Sequence, residues 1–244
     1  MRRLSIVVLL IGLAGCGATA SQSGSGTAPG LRIADAAIAS GTPAVALQAL
    51  EGMLATNPRN TDALLRHARA NMMLGNSSAA EASYRRALAV DGRLTEAQVG
   101  LGRILLASNA AQAEKLFEQA LARDAKNPAI LNNLGVARDL QGRHAQAQDA
   151  YLQALALAPD LTSARTNLGL SLSVSGKPEE GATMLGQLAR DGNADRRARD
   201  NLALALALSG RTGEADKVLR EEMSAADASR ALAGYRALAD NPAP

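Results

Sequence analysis

Asn133, Asn167 and Asn201 stand 34 residues apart, each immediately before a Leu and a small residue. A primary amide both donates and accepts, and the backbone of an extended peptide needs both roles. A column of amides can therefore hold such a chain with little demand on its sequence. Upstream, the same column holds Arg66 and Gly100, and Arg69 and Arg103 lie three residues further on. Guanidinium groups there suit an acidic segment or a terminal carboxylate. Met72, Met73 and Leu106 would add an apolar, adaptable floor. Plainer roles stay open for each: the amides as solvating residues, the arginines as solvated charges, and the methionines and leucine as core packing.

Other chemistry has little to build on. His67 and His144 are the only histidines and fall at different points of the spacing, while Cys16 is the only cysteine. His67 takes a place otherwise held by Leu and reads as a core histidine; His144 reads as an exposed turn residue. No His, Cys, Asp and Glu gather at metal-ligand spacing, so no metal is expected. Glu179-Glu180 and Glu221-Glu222 read as solvated helix surface, and no glycine-rich phosphate loop occurs. The sequence therefore predicts no catalytic centre and no cofactor, and a protein that is not an enzyme.

What positions the amides is a repeat. Leu-Gly recurs at Leu101-Gly102, Leu134-Gly135 and Leu168-Gly169, with a variant at Leu202-Ala203. A small residue follows each at Ala113, Ala147, Gly181 and Ala215, then a large apolar one at Phe117, Tyr151, Leu185 and Leu219. Ala46 and Ala80 extend the small row backwards. Turn glycines stand at Gly41, Gly75, Gly142, Gly176 and Gly210, and Asn109 falls at the vacant place, which puts one missing residue between Asn109 and Ala113. Pro58 and Pro159 mark helix ends. The composition agrees: 47% of residues are hydrophobic, mostly Ala and Leu, only 2% are aromatic, and there is no Trp. Such a chain suits helices packed closely through small side chains and suits strands badly.

The pattern resembles the tetratricopeptide repeat. That resemblance implies an all-α, right-handed α-solenoid of about six helical hairpins, covering residues 30–223, with residues 224–244 as a capping helix and tail. It also places the asparagine column and the arginines on first helices, facing a concave groove that binds protein or peptide segments. Ala231, Leu232, Tyr235, Leu238 and Ala239 form the apolar stripe of the capping helix. The Trp usual in the first helix is replaced by Leu64, Gln98, Leu131 and Arg165, so that pocket is thinner than in the family pattern.

Residues 1–15 read as an export signal: Arg2 and Arg3, then a run from Leu4 to Ala14 too short to span a bilayer, which takes roughly 20 residues. Leu13-Ala14-Gly15-Cys16 resembles the bacterial lipobox, which implies cleavage before Cys16 and its lipidation; an ordinary signal peptide or an uncleaved anchor is the alternative. Gly17 after the cysteine implies the outer membrane, facing the periplasm. Residues 16–29 are an uncharged Gly/Ser/Thr/Ala tether with a reach of roughly 20 Å. The precursor has 26 basic and 23 acidic residues; loss of Arg2 and Arg3 leaves 24 against 23, no case for nucleic acid.

The lipobox and tether, the six repeats and the closing Asp200-Asn201-Leu202-Ala203-Leu204-Ala205 segment are together similar to the TadD group of tight-adherence (Flp) pilus lipoproteins. The resemblance implies a pilotin-like role in which the partner is a secretin or another pilus-assembly component. A general envelope adaptor, serving peptidoglycan enzymes or outer-membrane protein assembly, needs the same scaffold and anchor.

Overall fold

The computed structural model describes residues 29–240, so the export signal, Cys16, most of the tether and the tail from Asn241 lie outside the described residues. Thirteen helices follow one another with no strand among the described residues. They form six hairpins: α1 (Pro29–Ala39) with α2 (Pro43–Thr56), α3 (Thr61–Met73) with α4 (Ser77–Val90), and α5 (Thr95–Leu105) with α6 (Ala110–Leu121). Then come α7 (Pro128–Asp139) with α8 (His144–Leu157), α9 (Thr162–Val174) with α10 (Pro178–Arg190), and α11 (Arg196–Leu208) with α12 (Thr212–Arg220). A last helix, α13 (Ala225–Asp240), ends the array. None of these helices is long and apolar enough to cross a membrane.

Local chemistry sets the boundaries. Asn60, Asn109, Asn127 and Asp195 cap α3, α6, α7 and α11 by accepting backbone N–H bonds. Pro43, Pro128 and Pro178 occupy first-turn positions, where a missing N–H costs nothing. The five turn glycines all take positive φ, from 71° to 89°.

Asn109 departs from the expectation. Its φ is −154° and its side chain accepts from Gln112 N, so it corresponds to the capping residues Asn76 and Arg143 and not to the glycines. The residue missing from the third unit is therefore the left-handed glycine itself, upstream of Asn109. The chain turns without it through Leu106, Ala107 and Ser108, and Asn109 N donates to Leu105 O at 2.7 Å.

Consecutive helices pack in order, and first helices also touch the first helix of the next unit at α1–α3, α7–α9 and α9–α11. The small row lies on the second helices, where Ala46, Ala80, Ala113, Ala147 and Ala215 are fully buried. A methyl added at Gly181 would meet Ser173 Oγ at 2.1 Å and Gly169 O at 2.4 Å. Within a unit, glycine on the first helix receives the large residue of the second. A methyl on Gly102 would lie 2.6 Å from the Phe117 ring, on Gly135 2.4 Å from Tyr151, and on Gly169 2.6 Å from Leu185.

Helix α13 packs on both α11 and α12, as a cap must. Its buried stripe is Ala228 and Leu232, with Ala231 and Tyr235 half-buried, whereas Leu238 is exposed and the side chain of Ala239 is not among those described.

Candidate functional site: the groove of the first helices

The odd-numbered helices present the asparagine column side by side. Asn133, Asn167 and Asn201 are each half-buried, so their amides reach solvent. Asn167 Nδ2 donates to Asn132 Oδ1 of the preceding unit at 2.9 Å. Among the described residues, the side chains of Asn133 and Asn201 make no hydrogen bond within the protein, which leaves both amides open to a ligand.

The three arginines are not equivalent. Arg66 is held by Asp35 in a two-point bond, Nε–Oδ1 at 2.7 Å and Nη2–Oδ2 at 3.0 Å. The bond holds the Asp35 carboxyl below the usual aspartate range and raises the Arg66 guanidinium. Arg66 thus ties α1 to α3, and its charge is already matched. Arg69 donates to Glu96 Oε1 from Nε and Nη2 at 3.0 and 2.6 Å, in an exposed pair. Arg103 is exposed and has no ion-pair partner among the described residues. The uncompensated basic charge at this end of the groove is therefore Arg103.

Met72 and Met73 are exposed, and Leu106 is half-buried, so the methionines are surface and not core. Leu140 and Val174, one and two units beyond Ala107 in the same row, are exposed as well. With Val136 and Leu170 they line a cavity of 250 Å³ beside Asn167. The groove thus changes character along its length, with the uncompensated Arg103 on α5 and exposed apolar side chains over α7 and α9. The leucine and valine were readable from their spacing of 34, though not from type alone.

Two polar clusters carry no signal in the sequence. Asp139 accepts from Tyr151 Oη at 2.9 Å and Ser171 Oγ at 2.7 Å, and His144 Nδ1 lies 2.9 Å from the same carboxylate. His144 is therefore the first residue of α8 and tied to Asp139, not a free turn residue. Burial, with the Asp139 carboxylate beside it, raises the Tyr151 phenol far above its ordinary value, so it stays a donor. Glu114, nearly buried, is held by Arg138 Nε at 3.0 Å, Gln141 Nε2 at 3.0 Å and Arg143. Burial alone would raise its carboxyl, but these hydrogen bonds outweigh it and hold it below the usual range.

His67 is half-buried, as the sequence predicted for a core histidine. Its Nδ1 lies 2.8 Å from Ser83 Oγ and 3.2 Å from Asn71 Nδ2, which also donates to His67 O at 2.9 Å. Burial lowers its pKa below 6.5. On the opposite face, Arg165 and Arg199 repeat in the position of the family's Trp, and cavities of 890 and 670 Å³ open beside them.

Two stretches of the chain, residues 37–93 and 107–162, match models of the tetratricopeptide repeat. No curated protein sequence matches the chain. Among solved structures it is similar to PilW, described as a widely conserved type IV pilus biogenesis factor, at a TM-score of 0.69 and 20% identity over 79% of this chain and 91% of that one. It is also similar to pilF of Pseudomonas aeruginosa, at 0.62 and 19% over 88% and 91%. A thermophilic tetratricopeptide protein of Thermus thermophilus superposes at 0.57 and 23% over 72% and 97%. Identities this low establish the fold alone. The chain is an all-α tetratricopeptide-repeat solenoid. It is a protein-interaction scaffold.

Proposed function

We propose that this chain is a lipid-anchored adaptor, attached through Cys16 to the outer membrane and facing the periplasm. There its groove receives a protein or peptide segment during pilus assembly, with a secretin or another pilus component as partner. The observation that carries the binding face is the column Asn133, Asn167 and Asn201, two of whose amides have no partner within the protein among the described residues. The pilus assignment draws support from the sequence features shared with the TadD group and agrees with the pilus biogenesis described for PilW.

Photo-crosslinkers placed at Asn133 of the first helix α7 and at Thr183, exposed on the second helix α10, test this in intact envelopes. The expected result is capture of a pilus component from Asn133 and not from Thr183. Asn133→Ala combined with Asn167→Ala is expected to weaken binding of that partner without loss of helicity. Capture only from Thr183, or unchanged affinity of the double variant, overturns the groove reading. Capture of a peptidoglycan enzyme or an outer-membrane assembly factor replaces the pilus by a general envelope role.

A further inference from the structure

The asparagine column has a gap at Gly100, in the third unit. It is not empty. A methyl built on Gly100 would lie 2.3 Å from Tyr84 Cζ, 2.5 Å from Cε2 and 2.7 Å from Oη. The hydroxyl end of Tyr84, arriving from α4, therefore occupies the place where an asparagine side chain would begin. Its repeat counterpart Tyr151 turns instead toward Gly135 of its own unit, where Asp139 accepts from the hydroxyl at 2.9 Å. In the second unit Ala68 stands where Gly135 stands in the fourth and Met72 stands near the place of Asp139. Neither the space nor the acceptor is available there, so the ring enters the next unit through the gap at Gly100.

The consequence is a hydroxyl without a partner in the protein among the described residues, open to solvent through a pocket. Tyr84 is only 4% exposed, yet its hydroxyl makes no hydrogen bond among the described residues, and the residue lines an open pocket of 480 Å³. Arg69, Glu96, Gly100, Arg103 and Asn127 line the same pocket. Glu96 is engaged with Arg69, so the pocket keeps the charge of Arg103. Burial raises the Tyr84 phenol, Glu96 adds to the rise, and Arg69 and Arg103 oppose it; the group stays protonated at neutral pH and can donate.

We propose that this pocket binds a carboxylate of a segment lying in the groove, with Tyr84 Oη–H donating to one oxygen and Arg103 supplying the opposing charge. The site deepens the groove reading, on which it rests, and gives a bound segment its register: a carboxylate over Gly100 and apolar side chains toward Leu140 and Val174. A charge-assisted pair with one tyrosine hydroxyl and one guanidinium distinguishes an acid from its amide by both charge and hydrogen-bond direction.

Three small probes test it on the purified chain labelled with ¹³Cζ-tyrosine: N-acetyl-aspartate N-methylamide, N-acetyl-alanine, and the neutral N-acetyl-asparagine N-methylamide. The chain has three tyrosines, so Tyr84→Phe assigns the resonance by its disappearance. The expected result is a saturable shift of Tyr84 Cζ with at least one acid and none with the amide. The aspartate derivative would mark a side-chain carboxylate as the natural group, and N-acetyl-alanine a chain end. Arg103→Gln should weaken acid binding at least tenfold. Tyr84→Phe, followed through backbone amide shifts around Gly100, should weaken it about tenfold, the factor for one hydrogen bond to a charged group. No saturable shift, an equal response to the amide, or unchanged affinity of Tyr84→Phe overturns the proposal. No partner protein takes part, so failure here leaves the Asn133 crosslinking result standing, and the reverse also holds.

Discussion

Gly135→Ala tests the packing rule on which the array depends. The added methyl would lie 2.4 Å from Tyr151 Cε1, 2.7 Å from Cδ1 and 2.8 Å from Cζ. The ring is 1% exposed and its hydroxyl is bound to Asp139 at 2.9 Å, so it has nowhere to retreat without breaking that bond. Overpacking a core costs about 1–3 kcal/mol, and loss of a hydrogen bond to a charged group costs about 1.5–3 kcal/mol. Removing a helical glycine returns about 0.5–1 kcal/mol. The balance is a destabilisation of about 2–4 kcal/mol, read by denaturant unfolding followed by far-UV circular dichroism.

The sixth unit supplies the control. There Ala203 and Leu219 hold the places of Gly135 and Tyr151, and both are buried in one cluster. Gly135→Ala with Tyr151→Leu copies that pair into the fourth unit. The double variant should be more stable than the two single losses summed by at least about 1 kcal/mol. Simple additivity, or a Gly135→Ala variant as stable as the parent, would refute the claim that glycine is there to admit the ring.

Two further outcomes follow from the same chemistry. Cys16→Ser should move the protein from the membrane to the soluble fraction on cell fractionation; unchanged membrane association would count against the lipid anchor. Glu114 has a folded-state pKa below the unfolded value of 4.5, so its contribution to stability is complete above that pH and fades as pH falls below it. Glu114→Gln should therefore lower stability at neutral pH and flatten the acid limb of the unfolding midpoint plotted against pH.

Much of the fold was legible because a repeat states the same packing problem six times. Glycine or alanine at 34-residue steps marks where helix axes approach, and the structure puts close contacts at Gly102, Gly135, Gly169 and Gly181. The turn of the third unit is ambiguous in the sequence because Asn serves both as a helix cap and as a stand-in for glycine. Only φ separates the two roles, and at −154° Asn109 is a cap.

The groove was legible as a face but not as a set of contacts. The asparagines keep their register, whereas Arg66 is claimed by Asp35 of the first unit, a pairing across 31 residues that no period announces. The roles of Asp139, Glu114 and Tyr84 are equally hidden, since each depends on partners from other helices at non-repeating positions. Deviations from the repeat are where this chain differs from its own consensus, and they are also where its polar chemistry gathers.

The position of α13 has a consequence for self-association. A solenoid with a bare end offers the berth of its next repeat to the first repeat of another copy, a head-to-tail contact that does not close and so grows into filaments. With α13 seated on α11 and α12, that berth is taken by the chain itself. Stacking of another copy's first repeat directly on the sixth unit is thereby blocked.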